Sequence, residues 1–549
     1  MTEEESTAPS PARAGRREWT ALGVLSLPAM LITLDNTVLH LAVPHLNASL
    51  NPSGLQLLWA VDIYSFLIAS LLIIAGTLGD RVGRRRLLLI GAVGFGVASL
   101  LTAFSNSAEM LIVSRALLGI AGATLTPSSM SLIRNLFHDP RQRTVALSVW
   151  ITCFLVGGAI GPLVGGVMLE HFWWGSVFLL SVPAMVLLLI LGPVLLPEYR
   201  DPKPGTIDFA SMGLLVLSLL AGVYGLKKLA VEGVAAVPAL VLLAGLALGV
   251  LFVLRQRGLT HPLIDMGLFR ERTFSASLGS MGLALFVMSG SQFFIAQYLQ
   301  MVVGLSPLEA GLASLPGSLG GVAGSLLAPV ALRWMRASYV MTGGLAVAGA
   351  GFVVLAQAGA DSGPATVMVA LGLLNVGVSP TVVLGTDMML NSAPPEKAGA
   401  VSAISDTSHE LGLGLGIAVL GSVGGAVYRD QVSGELPAGL PAGAAASIKD
   451  SIGNAVDEIS RLPEGLATAA LDVAREAFTH SLVLVSVACG VLTLLTAFMT
   501  LGLRKVPVLA GPGESEGAAE SEGPGRPGQS GKADGASEEL QEAGGRSTD

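Results

Sequence analysis

Long apolar runs, separated by short polar gaps, follow one another through the chain from about residue 20 to residue 503. A span needs roughly 20 apolar residues to cross about 30 Å of hydrocarbon. By that measure the runs fall at about 20–43, 56–78, 87–105, 110–132, 144–169, 176–196, 207–228, 235–255, 274–299, 308–332, 338–359, 365–390, 399–427 and 480–503. The pattern predicts fourteen membrane helices. One long polar segment, about 428–479, interrupts the series, and within it Ile452, Val456, Ile459 and then Leu466, Ala470, Val473 and Phe478 recur at helical spacing. It is expected to hold one or two amphipathic helices packed over one mouth of the helix bundle.

The gaps set the orientation. Arg13, Arg16 and Arg17 precede the first run, and Arg81, Arg84, Arg85 and Arg86 crowd the gap between the second and third. Basic residues recur in every second gap, while the intervening short gaps have none apart from Lys227 and Lys228 at the end of the seventh run. Because Lys and Arg stay on the cytoplasmic side, both termini are expected to be cytoplasmic and the 428–479 segment extracellular. The first run is too long for a signal peptide and has no A-x-A-like cleavage site, so it is read as a retained span.

Composition agrees: of 549 residues, 52% are hydrophobic and only 13% charged, with mean hydropathy +0.69, against roughly a quarter charged in soluble domains. The net charge of -8 is concentrated in a Gly, Ser and Glu-rich stretch after Pro507, where nine acids face three basic residues. That stretch reads as a disordered acidic tail. The two cysteines, Cys153 and Cys489, lie inside apolar runs, which argues against a disulfide framework or a metal site. No G-x-x-x-x-G-K-[ST] loop is present, which disfavours an ATP-driven enzyme.

Five ionisable residues inside runs need a reason, since each costs at least about 2.5 kcal/mol to insert. These are Asp35, Asp62, Arg115, Asp406 and Glu410. At about 1.5 Å rise per residue, Asp35, Asp62 and Arg115 share a layer roughly 8 to 12 Å below the outer ends of their spans. Asp406 and Glu410 are four residues apart and face one side of the thirteenth span. Asp35 reads either as a proton site or as the structural ion-pair partner of Arg115. Asp62 reads as a cation site or as a hydrated residue near the outer rim. Asp406 and Glu410 read as binding or coupling groups, or as partners of His409 or an inner arginine. Four carboxylates against one arginine predict a net acidic cavity, with Tyr64, Phe66, Trp150, Phe154, Phe294 and Tyr298 as candidate aromatic lining for lipophilic cations, or facing lipid and neighbouring helices.

Three motifs carry a family resemblance. Gly76-x-x-x-Asp80-Arg81-x-Gly83-Arg84-Arg85 resembles the loop 2/3 signature of the major facilitator superfamily. The stretch around Arg115, from Leu111 to Gly122, resembles its fourth-helix arginine motif. Gly157-Gly158-x-x-Gly161-Pro162-x-x-Gly165-Gly166 is similar to the fifth-helix motif of its antiporters. With fourteen spans, the chain resembles the drug:proton antiporters similar to quaternary-ammonium efflux pumps, over about residues 20 to 505.

The resemblance implies an all-α major facilitator fold of 6+2+6 helices. Its parts would be a cytoplasmic segment (1–19), an N-terminal six-helix bundle (20–200), an inserted helix pair (201–260), a C-terminal bundle (261–505) and the tail (506–549). It implies proton-coupled export of hydrophobic, cationic drugs or biocides by alternating access. The chain would be a monomer in the plasma membrane, with protons, lipophilic substrates and lipid as partners, no nucleic acid, no enzyme activity and no cofactor. Coupling would fall to Asp35, Arg115 and Glu410, and substrate binding to Asp62, Asp406, Tyr64, Trp150, Phe154 and Tyr298. Gly76, Asp80, Arg81, Gly83, Arg84 and Arg85 would form a conformational latch. In Gly157, Gly158, Gly161, Pro162, Gly165 and Gly166 two glycine stripes would allow close helix approach around a proline kink. The loop after the tenth span keeps Arg333 and Arg336 but lacks the Asp and Gly, so only the first copy would switch. The 428–479 segment lies outside the resemblance and carries no ionisable group expected to be buried, so it is expected to be dispensable for coupling. Rival readings are a dedicated exporter of one endogenous metabolite or antibiotic, and a non-transporting membrane sensor on the same fold.

Overall fold

The computed structural model describes residues 14–200, 208–233, 235–260, 262–394, 397–459 and 461–502. The start of the N-terminal segment and the acidic tail lie outside the described residues. All regular structure among the described residues is helical, as lipid demands of a backbone that must satisfy its own hydrogen bonds.

Among the described residues fourteen helices are long and apolar enough to cross a membrane. They are α1 (Arg16–Leu50), α2 (Gly54–Val82), α3 (Arg84–Ala103), α4 (Ala108–Leu136), α5 (Pro140–His171), α6 (Ser176–Leu195), α7 (Phe209–Glu232), α8 (Ala236–Gly258), α9 (Arg272–Val302), α10 (Pro307–Ala331), α11 (Ala337–Leu355), α12 (Ala365–Asn391), α13 (Ala398–Glu435) and α16 (Glu464–Leu501). Between the last two lie the short helices α14 (Ala442–Asp450) and α15 (Ile452–Ile459).

Helix starts are set by local chemistry. Ser53 with Gln56 and Ser306 with Glu309 form capping boxes at α2 and α10. Asp139 caps α5 with Pro140 at its first position. Asp208 caps α7, and its carboxylate is also held by Arg255 at 3.0 Å. Hydrogen bonds from Arg255 and Ser211 keep the Asp208 carboxyl well below the usual carboxylate range.

The spans pack as two groups of six and a pair. In the first group α1 lies on α5, α2 on α4, and α3 on α4 and α6. In the second, α9 packs on α12, α13 and α16, and α12 also receives α10 and α11. The α7–α8 pair does not stand apart, because α7 touches both α2 and α13 and so covers a seam between the groups.

The segment expected at 428–479 is shorter than its polarity suggested. Helix α13 continues to Glu435 and α16 begins at Glu464, each extending well past its apolar run. The remaining α14 and α15 form a clasp. Ile448, Ile452, Ala455 and Ile459 are buried. Asp450 accepts from the Gly54 backbone at 2.9 Å, and Asn454 donates to the Pro52 carbonyl at 3.2 Å. The Tyr428 hydroxyl, at the base of the same unit, donates to the Ile448 carbonyl at 2.9 Å. The expectation that 428–479 holds no buried ionisable group therefore fails at Tyr428, which is 3% exposed.

Candidate functional site

Asp35 of α1 and Arg115 of α4 form a buried ion pair. The guanidinium is held from every side: its Nε donates to the Ala60 carbonyl at 3.3 Å, and its carbon sits 4.6 Å from the Tyr64 ring centre and 5.9 Å from that of Phe178. Among the described residues, however, its Nη2 has no hydrogen-bond partner, and neither does the Tyr64 hydroxyl. Tyr64, expected among the substrate-lining aromatics, is fully buried as the base of the arginine site.

Asp62 does not sit on a hydrated rim. It is fully buried on another face of α2, paired with Lys227 of α7 at 2.7 Å. Lys227 is itself fully buried, with its ammonium 3.9 Å from the Trp59 ring centre. The expected balance of four carboxylates against one arginine is thereby corrected: a second buried cation offsets Asp62. In the sequence Lys227 stands beside Lys228 at the end of an apolar run, and neither is marked out from the other. The two differ by one helical step, which turns Lys228 outward to Glu232 at 2.5 Å and Lys227 inward.

The second acidic layer is on α13, which packs along α2. The Phe66 ring lies where a side chain on Gly414 would be, 2.9 Å from an added Cβ. Glu410 is buried beside Ser65 of α2, and its Oε2 has no hydrogen-bond partner among the described residues. Among the described residues neither Glu410 nor Asp406 has an ion-pair partner, so the alternative pairing with His409 or an inner arginine is not formed. His409 instead meets the edge of Phe154 at 6.4 Å between ring centres, and Phe154 stacks on Trp150 at 6.0 Å. Phe154 of α5 thus meets α13 at His409, the residue next to Glu410, with Trp150 stacked behind it. Tyr298 is not with them. It lies in a π-helical turn at the end of α9, and its hydroxyl donates to the Gly359 carbonyl at 2.7 Å.

The glycine stripes of α5 divide their work. Gly157, Gly161 and Gly165 face Met30, Thr33, Thr37 and Val38 of α1, at distances that leave no room for a methyl group. Gly166 and the Pro162 carbonyl instead meet Pro307, Leu308 and Gly311 of α10, in the other group. Gly158 faces open space. Nearby, Glu170 accepts from the Leu308 backbone at 3.4 Å and Gln300 donates to the Leu41 carbonyl at 3.1 Å. With the clasp, these contacts join the two groups at one end of the molecule.

The Gly76–Arg86 hairpin lies at the opposite end. Gly83 makes the turn at φ +113°, a conformation L side chains rarely adopt. Asp80 pairs with Arg84 at 2.6 Å. The Arg84 backbone donates to the Tyr199 carbonyl at 2.9 Å, Arg85 to the Leu196 carbonyl at 3.0 Å, and Arg200 to the Val82 carbonyl at 2.9 Å. Glu198, which sequence reading passed over, lies 3.7 Å from both Arg85 and Arg86. Gly76 faces open space and Arg81 lies exposed on the last turn of α2.

Comparison with known proteins follows this geometry. The model of the Major Facilitator Superfamily matches residues 25–417. The multidrug efflux pump LfrA of Mycolicibacterium smegmatis is 42% identical over 489 residues, covering 89% of this chain and 97% of that protein. The methyl viologen resistance protein SmvA of Salmonella typhimurium is 37% identical over 498 residues, covering 89% and 99%. The tetracenomycin C resistance and export protein of Streptomyces glaucescens is 31% identical over 511 residues, covering 92% and 95%. Among solved structures, a bacterial homologue of the human lysosomal transporter Spinster, inward-facing and unoccupied, superposes with TM-score 0.62 over 90% of this chain and all of its own, at 16% identity. That likeness concerns the fold.

Proposed function

The chain belongs to the major facilitator superfamily, and from that premise we propose that it expels lipophilic cationic drugs in exchange for protons. It is a multi-pass protein of the plasma membrane, and its relatives are drug efflux pumps and resistance exporters. The observation that carries the proton-coupled reading is the set of buried acids facing one seam. Asp35 is tied to Arg115 against one side of α2, while Glu410, with no ion-pair partner among the described residues, lies against Ser65 of the same helix from the other group. A proton taken by Asp35 weakens its hold on Arg115, and the freed guanidinium then attracts the next carboxylate presented to it. Because α2 and α13 belong to different groups, the exchange of charges is linked to their relative movement.

In this reading the hairpin end, rich in arginine, faces the cytoplasm, and the clasp end faces outside. Both termini are cytoplasmic and the two groups of six spans are the rocking bundles of a monomeric transporter. Trp150, Phe154 and Asp406 line the substrate path from two sides. Asp80 and Arg84, stitched to the segment after α6, form the latch. Resemblance to an exporter of one antibiotic favours a narrower substrate range as the second reading. The test is efflux of a lipophilic cationic dye from cells, with a panel of unrelated biocides. Export that a protonophore abolishes supports the proposal, whereas export indifferent to the proton gradient rejects it. Resistance to a single compound of the panel selects the narrower reading.

A further inference from the structure

The Asp62–Lys227 pair has the form of an occupied cation site. The carboxylate lies 2.7 Å from an ammonium whose other side faces an indole ring at 3.9 Å, the two elements with which proteins hold organic cations. The same Trp59 packs into an apolar cluster drawn from three helices, with Phe66 of α2, Val223 of α7, and Leu411 and Leu415 of α13. One helical turn along α2 and α7, at Leu58 and Val231, the same seam opens into a mainly apolar cleft lined by Phe293, Phe294 and Phe478 and also by Arg429 and Asp450. Ser422 lines that cleft, is 4% exposed, and its hydroxyl has no hydrogen-bond partner among the described residues. A carboxylate, an aromatic face, an apolar cleft and an unsatisfied hydroxyl together suit a bulky monovalent organic cation. The ammonium that fills the charged end belongs to the chain.

We infer that Lys227 is the resident occupant of a lipophilic-cation site at the α2/α7/α13 seam, competing with substrate for Asp62 and thereby setting which cations are accepted. This deepens the efflux reading and rests on it. Lys227 is not a substrate-binding residue in the ordinary sense, because its charge repels what the site receives. A cation too small to fill the apolar cleft gains only what it takes from the ammonium, and so does not displace it. A cation that also buries apolar surface gains more than the lysine, whose stem is already buried. The inserted helix pair would therefore act as a selectivity filter laid against the seam.

The alternative is that the pair merely anchors α7, and binding of tetraphenylphosphonium to the purified full-length protein separates the two. Lys227→Met frees Asp62 and Trp59, so affinity should rise about tenfold, the scale of one desolvated cation–aromatic contact. Adding Asp62→Asn should cancel that rise. Affinity that does not rise, or a rise that survives Asp62→Asn, overturns the inference. Removing one partner of a buried pair risks misfolding, so Lys227→Arg provides the second measurement. It keeps the anchor and grips the carboxylate through two donors, and should weaken binding several-fold. Unchanged or tighter binding in Lys227→Arg leaves only the anchor. Absence of tetraphenylphosphonium binding and export by the unaltered protein would sink the efflux reading alone, since an Asp62-dependent gain in Lys227→Met still decides the seam site.

Discussion

At the scale of single residues, buried acids that look alike in the sequence differ in their partners, and the difference predicts separable phenotypes. Asp35 shares an ion pair with a guanidinium that is fully buried. Asp35→Asn should therefore lower stability by up to about 3 to 5 kcal/mol, the cost of leaving a buried charge unpaired, as well as abolishing uphill efflux. Glu410 has no ion pair to lose among the described residues. Glu410→Gln should melt within a few degrees of the unaltered protein yet release no proton when substrate is added. Thermal unfolding and substrate-induced proton release from detergent-solubilised protein measure both quantities. Equal destabilisation by the two variants would contradict the assignment of the ion pair to Asp35 alone. Asp35, Arg115, Asp62, Asp406 and Glu410 were legible in the sequence because a charge in an apolar run is conspicuous. Lys227 was not, because at the end of a run a lysine can snorkel to the surface, and sequence does not say which way it turns.

At the scale of elements, the spans were legible because hydrocarbon thickness fixes their length, but their extensions were not. Helices α13 and α16 run past the apolar limit into a region where helix ends are set by packing against α14 and α15. The amphipathic spacing at Ile452, Val456 and Ile459 announced the clasp, and Ile452 and Ile459 are buried as that spacing requires, whereas Val456 is 38% exposed. Its expected dispensability does not follow from what it touches, since it holds α2 through Asp450 and Asn454 and α13 through Tyr428. Ile452→Ala should destabilise the clasp by about 2 to 5 kcal/mol. Its effect should appear as faster hydrogen exchange over 442–459 and as slower dye efflux at unchanged surface expression. Full efflux with a loosened clasp would return the segment to the role of a passive cover.

At the scale of the whole molecule, the two groups meet differently at their two ends, and this asymmetry decides what must move. At the clasp end the groups touch through backbone: Gly166 and Pro162 of α5 lie directly against α10, and Gln300 reaches the Leu41 carbonyl. At the hairpin end, Asp80, Arg84 and Arg85 are bound to their own group, through Leu196, Glu198 and Tyr199. Alternating access then requires the clasp-end contacts to break in each cycle. Glu170 and the start of α10 at Leu308 are suited to test this, because Glu170 is exposed, Leu308 is only half-buried, and the two lie within one hydrogen bond of each other across the boundary. Cysteines at Glu170 and Leu308, bridged by a short bis-methanethiosulfonate reagent, should stop efflux while leaving tetraphenylphosphonium binding measurable. Reduction of the bridge should restore transport. The single-cysteine variants treated in the same way should transport normally, which separates locking from simple modification. Transport that continues in fully bridged protein would mean that the α5–α10 contact stays closed throughout the cycle, and that substrate leaves by another route, such as the seam beside α7.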